Sequence, residues 1–597
     1  MAPDNLLQQA QGKLSPLAYA AVARWLEEQQ YTDYRAELVA LIQQEQWATL
    51  EDGFFKVVPF GTGGRRGKVG IGPNRINKVT IGQSAQGLAN YLLKKNKTAK
   101  QQGIVVAYDT RLTSVEFAQL TATIFAANDF RTYLFDSFRP TPELSFAVRH
   151  LKTAAGVVIS ASHNPPTDNG FKVYWQDGGQ VVPPHDSGIM EEVAQVTTVN
   201  TTDFAAAVSA GKVVTVGAEI DEAYTAAIVA ESLVSTRSAD IVYSPLHGSG
   251  ITSVVPALKR AGFTQVTVVA EQATPDGNFP NIKNQTPNPE VRETNAQATH
   301  IAQARRADLA ITTDPDADRL GVVARDRHGE YQFLTGNQIA ALIGHFVLDQ
   351  LKQRGQLTPR HFVVKTIVTT DFLNAFATDF GVKIYDNILI GFKYIAELIQ
   401  QYEGRAEFLF GGEESHGILK GSYTRDKDAA IAALLISELA SLLKDQGKTL
   451  IDHLDALYRQ YGIFWETLEN IVYEGAHGNT TMEQLMTGLR AQPPTTLAGK
   501  RVVRVVDRLS PDSEGAHGDV LIYYLSTDQH TRLTVRPSGT EPKLKIYAQA
   551  HYPITPDISD GDLAHAKTTA AADAARLTSA LIDYAATILA PAKKPGG

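Results

Sequence analysis

The chain opens on a helical pattern and then alternates. Leu38, Leu41, Ile42 and Trp47 recur at helical spacing in a stretch rich in Gln, Glu, Ala and Leu, which predicts a helical extension over residues 1–50. Short apolar runs then alternate with helical patterns. Residues 103–109 and 156–162 read as buried strands. The second begins at a glycine, is β-branched, and is ended by Pro165 and Pro166. Thr113-Ser114-Val115-Glu116 has the form of a capping box and predicts a helix through Ala127. A second alternating run has strands at 240–243, 266–270 and 309–313, and a third at 362–368, 382–385 and 407–410. Such alternation predicts α/β units with mostly parallel, doubly wound sheets. After about residue 455 the order changes. Strand patterns at 501–506, 520–524, 532–536 and 544–548 are followed by one Ala-rich helix, which predicts an antiparallel α+β unit. The expected division is an extension at 1–50 and four domains at 51–215, 216–325, 326–450 and 451–597. Residues 429–443 predict an amphipathic helix packed on a core. The Pro-, Gly- and Lys-rich tail 590–597 is expected to be disordered.

Composition narrows the class. At 597 residues the chain exceeds one core, and 43% hydrophobic with 20% charged residues describes a soluble globular protein. The absence of cysteine excludes disulfides, thiolate nucleophiles, Cys-ligated zinc and iron–sulfur clusters. A net charge of −8 argues against nucleic acid or a membrane as the main partner. The start Met1-Ala2-Pro3-Asp4-Asn5 lacks the basic and apolar regions of a signal peptide, so a cytoplasmic protein is expected.

Five loops carry the candidate chemistry. Ser160-Ala161-Ser162-His163-Asn164-Pro165-Pro166 puts a serine hydroxyl at a strand's carboxyl end, with Lys172 following. It is not G-x-S-x-G, the usual hydrolase pattern, and an alternative task for such a serine is to carry a phosphoryl group. Asp314-Pro315-Asp316-Ala317-Asp318-Arg319 sets three carboxylates at alternate positions on a turn. Hard oxygen ligands suit Mg²⁺, and the EF-hand pattern is not met. Gly411-Gly412-Glu413-Glu414-Ser415-His416-Gly417 offers carboxylate and hydroxyl groups to a sugar, or else begins a helix. Arg536-Pro537-Ser538-Gly539-Thr540 can cradle a dianion, or else is a hairpin turn. Phe60-Gly61-Thr62-Gly63-Gly64-Arg65-Arg66-Gly67 is neither a Walker A loop nor G-x-G-x-x-G, and a nucleotide cofactor has no support.

In chain order, from the Phe60 string through the serine, aspartate and glutamate loops to the Arg536 string, the loops resemble those of the α-D-phosphohexomutase family, over nearly the whole chain from about Phe60 to Ala548. Shorter strings add to the likeness: Tyr108-Asp109-Thr110-Arg111, Arg139-Pro140-Thr141-Pro142, Pro245-Leu246-His247-Gly248 and Pro287-Asn288-Pro289-Glu290. The resemblance implies four domains around a central cleft, the first three alike. It implies Ser162 as a phosphoserine and a bisphosphorylated hexose, glucose 1,6-bisphosphate, as activator and intermediate. Asp314, Asp316 and Asp318 would hold Mg²⁺ with an oxygen of the Ser162 phosphate. Arg66, His163 and Lys172 would surround that phosphate, with Arg319 beside the metal ligands. Glu413, Ser415, Gly391, Lys393 and Lys427 would meet the sugar, and Arg536, Ser538, Gly539 and Thr540 the phosphate that is not transferred. The partners are small sugar phosphates, for a monomer or homodimer. The G-E-E-S string leans toward glucose 1-phosphate and glucose 6-phosphate as the exchanged pair. Glucose 1,6-bisphosphate synthesis and phosphomannose or phosphopentose mutation would use the same residues. His416 directly follows Ser415, a departure that leaves it a packing or a proton-transfer role.

Overall fold

The computed structural model describes residues 3–60, 63–473, 478–513, 515, 517–538 and 543–589. The tail 590–597 lies outside these, as do Gly539 and Thr540.

The N-terminal extension is helical and runs slightly past residue 50. Helices Pro3–Ala10, Pro16–Glu27, Arg35–Gln43 and Trp47–Phe54 pack around Trp25, Tyr31, Leu38, Ile42 and Phe54. Ser15 caps the second helix by accepting the Ala18 N–H, and Pro16 occupies its first turn, where a missing N–H does no harm. The extension seats on the turn after the strand Gly64–Lys68. A Cβ on Gly72, whose φ is +110°, would lie 2.3 Å from the Gly53 carbonyl oxygen.

Three α/β units follow. The first sheet has the order Gly64–Lys68, Asp168–Trp175, Ala155–Ile159, Ile104–Tyr108, Thr132–Phe135, Val213–Val216. Its last four strands are parallel, and Asp168–Trp175 runs antiparallel to both its neighbours. The second sheet has the order Tyr331–Leu334, Leu320–Arg325, Leu309–Thr313, Ile241–Ser244, Val266–Val268. The third has the order Lys383–Ile388, His361–Thr366, Glu407–Glu413, Gly417–Lys420. In each, the parallel core adjoins an antiparallel hairpin: Ala155–Ile159 with Asp168–Trp175, Leu309–Thr313 with Leu320–Arg325, Glu407–Glu413 with Gly417–Lys420. Gly64–Lys68 and Tyr331–Leu334 add an antiparallel edge strand to the first and second sheets. The serine, aspartate and glutamate loops are the turns of these hairpins rather than strand-to-helix connections. The C-terminal unit is an antiparallel sheet in the order Ile463–Val472, Lys543–Tyr552, Arg532–Pro537, Leu521–Tyr524, Arg504–Asp507, backed by the helix Asp560–Leu589. Arg536 and Pro537 end a strand that pairs antiparallel with Lys543–Tyr552.

Several local expectations are corrected. The serine-bearing strand stops at Ile159, and Lys172 lies on the returning strand Asp168–Trp175 rather than on the loop. The pattern at 501–506 divides into Lys500–Arg501 and Arg504–Asp507. The helix Ser114–Ala127 forms, but without the capping box. The Thr113 hydroxyl accepts from Asn169 Nδ2 at 2.9 Å, and Glu116 pairs with Lys78. The helix Ala429–Asp445 is not amphipathic. It is buried on nearly every face, Glu438 included, whose carboxylate accepts from the Leu233 N–H and meets Arg237 at 2.9 Å. That helix joins the largest core, which runs through all three α/β units. Among the described residues no helix is long and apolar enough to cross a membrane.

Candidate active site

The serine loop is held from within by one arginine. Arg111 Nη1 donates to the carbonyls of Pro165 and Asp168 at 2.7 and 2.8 Å. Its Nη2 donates to those of Ser162 and Asn164 at 2.6 and 2.5 Å. The buried Asp109 carboxylate lies 3.2 Å from Arg111 Nε and accepts the Ser114 hydroxyl at 2.6 Å. A planar fork with fixed donors suits this task better than a lysine. The staple holds Ser162 in the left-handed region at φ +53°, an uncommon backbone state for a residue with a Cβ. Arg111 was not singled out from the Tyr108-Asp109-Thr110-Arg111 string, because only the folded loop shows what it binds.

Ser162 faces the aspartate loop. Its Oγ donates to Asp314 Oδ2 at 2.7 Å and lies 3.2 Å from His163 Nδ1. Asp314 Oδ1 accepts the N–H groups of Asp318 and Arg319, which folds the turn back on itself. Asp316 Oδ2 accepts from Lys172 Nζ at 2.6 Å and from the Thr141 hydroxyl at 2.7 Å. Lys427 Nζ lies 2.9 Å from Asp318 Oδ2. Lys427, expected at the sugar, therefore sits on a member of the acidic triad.

The aspartate loop is where the α/β units meet. The Thr141 N–H of the first unit donates to the Asp316 carbonyl, and the Ala429 N–H of the third donates to the Ala317 carbonyl. Within the second unit, the Ser249 N–H and hydroxyl both donate to the Pro315 carbonyl. Gly248 is required there, since a Cβ would lie 2.4 Å from Pro315 Cα. This gives the Pro245-Leu246-His247-Gly248 string a supporting role that its residue types alone do not reveal.

Three buried carboxylates within 4.8 Å of one another fit a divalent cation. Two of their oxygens, Asp316 Oδ1 and Asp318 Oδ1, are buried without a hydrogen-bond partner, an expensive state unless a ligand claims them. Burial, then Asp318 and Asp316, push the Asp314 carboxyl well above its ordinary range. Burial would raise Asp316 too, but Lys172 and Thr141 hold it well below. Burial, with Arg319 and Arg66, pushes the His163 imidazole well below its usual value, so it is neutral. Arg66 has no hydrogen bond or ion pair among the described residues, while neighbouring Arg65 is spent on the Thr80 carbonyl. Arg319 pairs with Glu290 and lies 3.7 Å from Asp318.

The glutamate loop shares the cleft. Burial raises the Glu413 carboxyl to about 7, although Lys427 opposes it. Glu413 Oε1 accepts the Gly391 N–H at 3.0 Å, which ties the loop to the helix Phe392–Tyr402. Ser415 is partly exposed beside it. Lys393, expected at the sugar, lies in the first turn of the helix Phe392–Tyr402, just after Gly391. It is buried with its ammonium 3.9 Å from Asp186. His416 Nδ1 donates to the Leu320 carbonyl at 2.9 Å. On the C-terminal domain, Arg536 and Ser538 are partly exposed, and Arg536 pairs in register with Lys545. Burial holds the Lys545 ammonium of the C-terminal unit below its usual range, against the opposing pull of Glu290 and Glu414. Lys545 was not anticipated; its alternation with Lys543 on a strand beside Arg536 was the available signal.

Comparisons with known proteins agree with this geometry. Models of the phosphoglucomutase/phosphomannomutase α/β/α domains I, II and III match residues 58–200, 222–329 and 335–461. A phosphoglucomutase of Staphylococcus aureus strain N315 is 36% identical over 538 residues, covering 86% of this chain and 94% of that protein. One from strain MRSA252 is 35% identical over 536 residues, with the same coverage. The fold is similar to that of pp63/parafusin, a phosphoglucomutase from Paramecium in its open form. The TM-score is 0.62 at 17% identity, covering 89% of this chain and 94% of that one. A phosphoglucomutase/phosphomannomutase family protein from Burkholderia thailandensis gives 0.61 at 17% identity, covering 87% and 97%. With three domain models matched in order and a relative aligned over most of its length, this chain belongs to the phosphoglucomutase/phosphomannomutase family.

Proposed function

We propose that the protein is a phosphoglucomutase that interconverts α-D-glucose 1-phosphate and glucose 6-phosphate, with Ser162 as the phosphoryl carrier. The observation that carries this reading is the Ser162 hydroxyl 2.7 Å from Asp314, inside an acidic triad and within reach of His163. In the resting enzyme Ser162 would bear the phosphoryl group. A sugar hydroxyl oxygen attacks phosphorus and gives up its proton as the P–Oγ bond breaks, and Ser162 Oγ becomes a hydroxyl. The product is glucose 1,6-bisphosphate. The sugar then presents its other phosphate to Ser162, whose Oγ attacks phosphorus and loses its proton. The bond from phosphorus to the sugar oxygen breaks, that oxygen takes up a proton as a hydroxyl of the released glucose monophosphate, and the phosphoserine is restored.

The residues divide the work by position. Asp314, Asp316 and Asp318 would hold Mg²⁺, which supplies positive charge to the oxygens of the transferring group. Lys172, Arg319 and Arg66 add fixed cations, and positioning with charge stabilisation is most of what phosphoryl transfer needs. Neutral His163 can accept the hydroxyl proton of Ser162. Glu413 and Ser415 would bind sugar hydroxyls. Arg536, Ser538 and Lys545, together with Gly539 and Thr540, would grip the phosphate that stays on the sugar. The names of the relatives support glucose over other hexoses.

The test is incubation with glucose 1-phosphate, Mg²⁺ and a trace of glucose 1,6-bisphosphate. Glucose 6-phosphate without free phosphate is the expected product. Free phosphate alone overturns the reading in favour of a phosphatase, and net accumulation of bisphosphate in favour of a synthase. Mannose, glucosamine and ribose 1-phosphates in parallel test the sugar.

A further inference from the structure

We infer that His416 is a positioning residue that locks the glutamate loop to the aspartate loop, so that the sugar and phosphoryl sites keep a fixed spacing. The inference rests on the mutase reading above.

Only Glu414, Ser415 and His416 connect Glu413 to Gly417, which are partners in the hairpin register. Three-residue hairpin loops usually close with a left-handed residue, and glycine is the natural choice. Here that position is His416, at φ +66°, although Gly417 is adjacent. A residue with a Cβ is disfavoured in this conformation, so its side chain must contribute something that glycine cannot.

What it contributes is a second bond to one residue. The Leu320 N–H donates to the His416 carbonyl at 3.1 Å, and His416 Nδ1 donates to the Leu320 carbonyl at 2.9 Å. Because that carbonyl can only accept, Nδ1 carries the proton. Leu320 is two residues beyond Asp318 and begins the strand Leu320–Arg325. His416 is one residue beyond Ser415. The paired bonds thus join the two loops where each leaves its site. The ring is buried and lies 5.9 Å from the Phe333 ring. The helix Gly336–Gln353 closes the other side, since a Cβ on Gly336 would lie 2.1 Å from the Glu414 carbonyl oxygen and 2.7 Å from the His416 nitrogen. The Nδ1–H bond to a backbone carbonyl fixes the tautomer and the plane of the ring, which is what a brace needs; a proton-transfer role through Nε2 is the alternative that the pH profile tests.

Glycine and asparagine at 416 separate brace from backbone. His416→Gly keeps the left-handed turn and removes the imidazole. His416→Asn also tolerates that turn and offers a shorter donor. In the full-length protein, His416→Gly should raise KM for glucose 1-phosphate roughly tenfold or more, since small misplacements in a site are costly. It should weaken glucose 6-phosphate binding, measured calorimetrically, to a similar degree. Discrimination against mannose and galactose 1-phosphates should narrow. The shape of the kcat–pH profile should stay that of the unsubstituted protein, with His416→Asn intermediate in KM, in assays run well below each variant's own thermal midpoint. Unchanged KM and unchanged binding in His416→Gly overturn the inference. So does loss of one limb of the pH profile with KM unchanged, which assigns proton transfer instead. If the unsubstituted protein binds sugar phosphate but does not isomerise it, the mutase reading fails, and the binding shift alone decides the brace.

Discussion

Ser162 Oγ and Asp314 Oδ2 stand 2.7 Å apart across 152 residues of chain, and that contact joins the turn of one hairpin to the turn of another. Each loop alone is an ordinary surface feature; together they place a hydroxyl against a buried carboxylate cluster. The contact gives a first prediction. Ser162→Ala should lose the phosphoryl mass increment on its peptide and lower turnover by roughly 10³-fold or more, as expected when a covalent carrier is removed. Intact-mass and peptide mass spectrometry beside the mutase assay check both, and substantial turnover in the variant would reject the carrier assignment.

Arg111 provides a second prediction, because its removal breaks a buried pair. In Arg111→Ala the Asp109 carboxylate stays buried without its cation, a loss of about 3–5 kcal/mol in stability. Burial already raises Asp109 despite Arg111, so the variant should protonate it rather than keep a bare charge. Arg111→Lys retains charge but cannot reach four carbonyls from one planar fork. It should be nearly as stable as the starting protein yet slower, by about 10²-fold in kcat, because the loop holding Ser162 loosens. Denaturant unfolding and steady-state kinetics on the two variants separate charge from geometry.

The acidic triad predicts a metal-dependent stability. Asp314, Asp316 and Asp318 repel one another when no cation joins them, and Lys172 and Lys427 offset this only in part. Mg²⁺ at about a hundred times its Kd should add about 2.7 kcal/mol to the part of the molecule that unfolds with this loop. A chelator should reverse the gain. Asp318→Asn should shrink it, and calorimetric scans with and without Mg²⁺ give the answer. No dependence on Mg²⁺ would remove the triad as a metal site.

The contact between the third and C-terminal units predicts a pH effect. Arg532 donates to both oxygens of Asp371 at 2.6 and 2.9 Å, Lys365 Nζ lies 2.9 Å away, and His530 Nδ1 lies 3.2 Å away. Burial would raise Asp371, but Arg532 and Lys365 hold it well below the ordinary range. The hydrogen bond to Asp371 raises His530 above 6.5. His530 is partly exposed, so its share is small and screened. Its stabilisation is complete below pH 6.5 and fades as pH rises through the raised value. The Asp371 share is complete above pH 3.8 and is lost only in strong acid. Limited proteolysis between these two units should therefore quicken somewhat on going from pH 6 to pH 8, and His530→Gln should abolish the change.

The chemistry was more legible than its scaffolding. Alternate acids on a turn and a serine after a proline-stopped strand are local signals, and both survive folding. The hairpins were hidden because the returning strands Asp168–Trp175 and Leu320–Arg325 begin only a few residues after their partners, at the loops themselves. Apolar pattern alone does not say which way a buried strand runs. The capping box failed for a tertiary reason: Asn169, far along the chain, takes the Thr113 hydroxyl. The uniform burial of Ala429–Asp445 is similar, since helices Ala218–Ala230 and Val254–Arg260 of the second unit and Gly336–Gln353 of its own unit cover faces that its own sequence leaves undefined. Lys393 and Lys427 show that folding adds partners that spacing does not name: Lys393 lies 3.9 Å from Asp186, and Lys427 lies 2.9 Å from Asp318 while also opposing the rise of Glu413.

Glu413 gives the last prediction, from the direction of its shift. Burial raises its carboxyl from 4.5 to about 7, so the native protein holds a proton there that the unfolded chain has already released between those values. By linkage the Glu413 contribution makes stability fall as pH rises from about 4.5 to 7, and the slope ends once both states are ionised. The same titration bears on sugar binding. At pH 6 the group is mostly a carboxylic acid and at pH 8 mostly a carboxylate, the stronger acceptor for sugar hydroxyls. KM should therefore fall from pH 6 to 8 beyond the change due to the substrate's own phosphate. Glu413→Gln removes the ionisation while keeping size and hydrogen-bonding capacity. It should bind more weakly at pH 8, with a KM that follows only the substrate phosphate, and should lose the stability slope below pH 7. Parallel KM–pH curves for the two proteins that never diverge would show that Glu413 does not ionise in contact with the sugar.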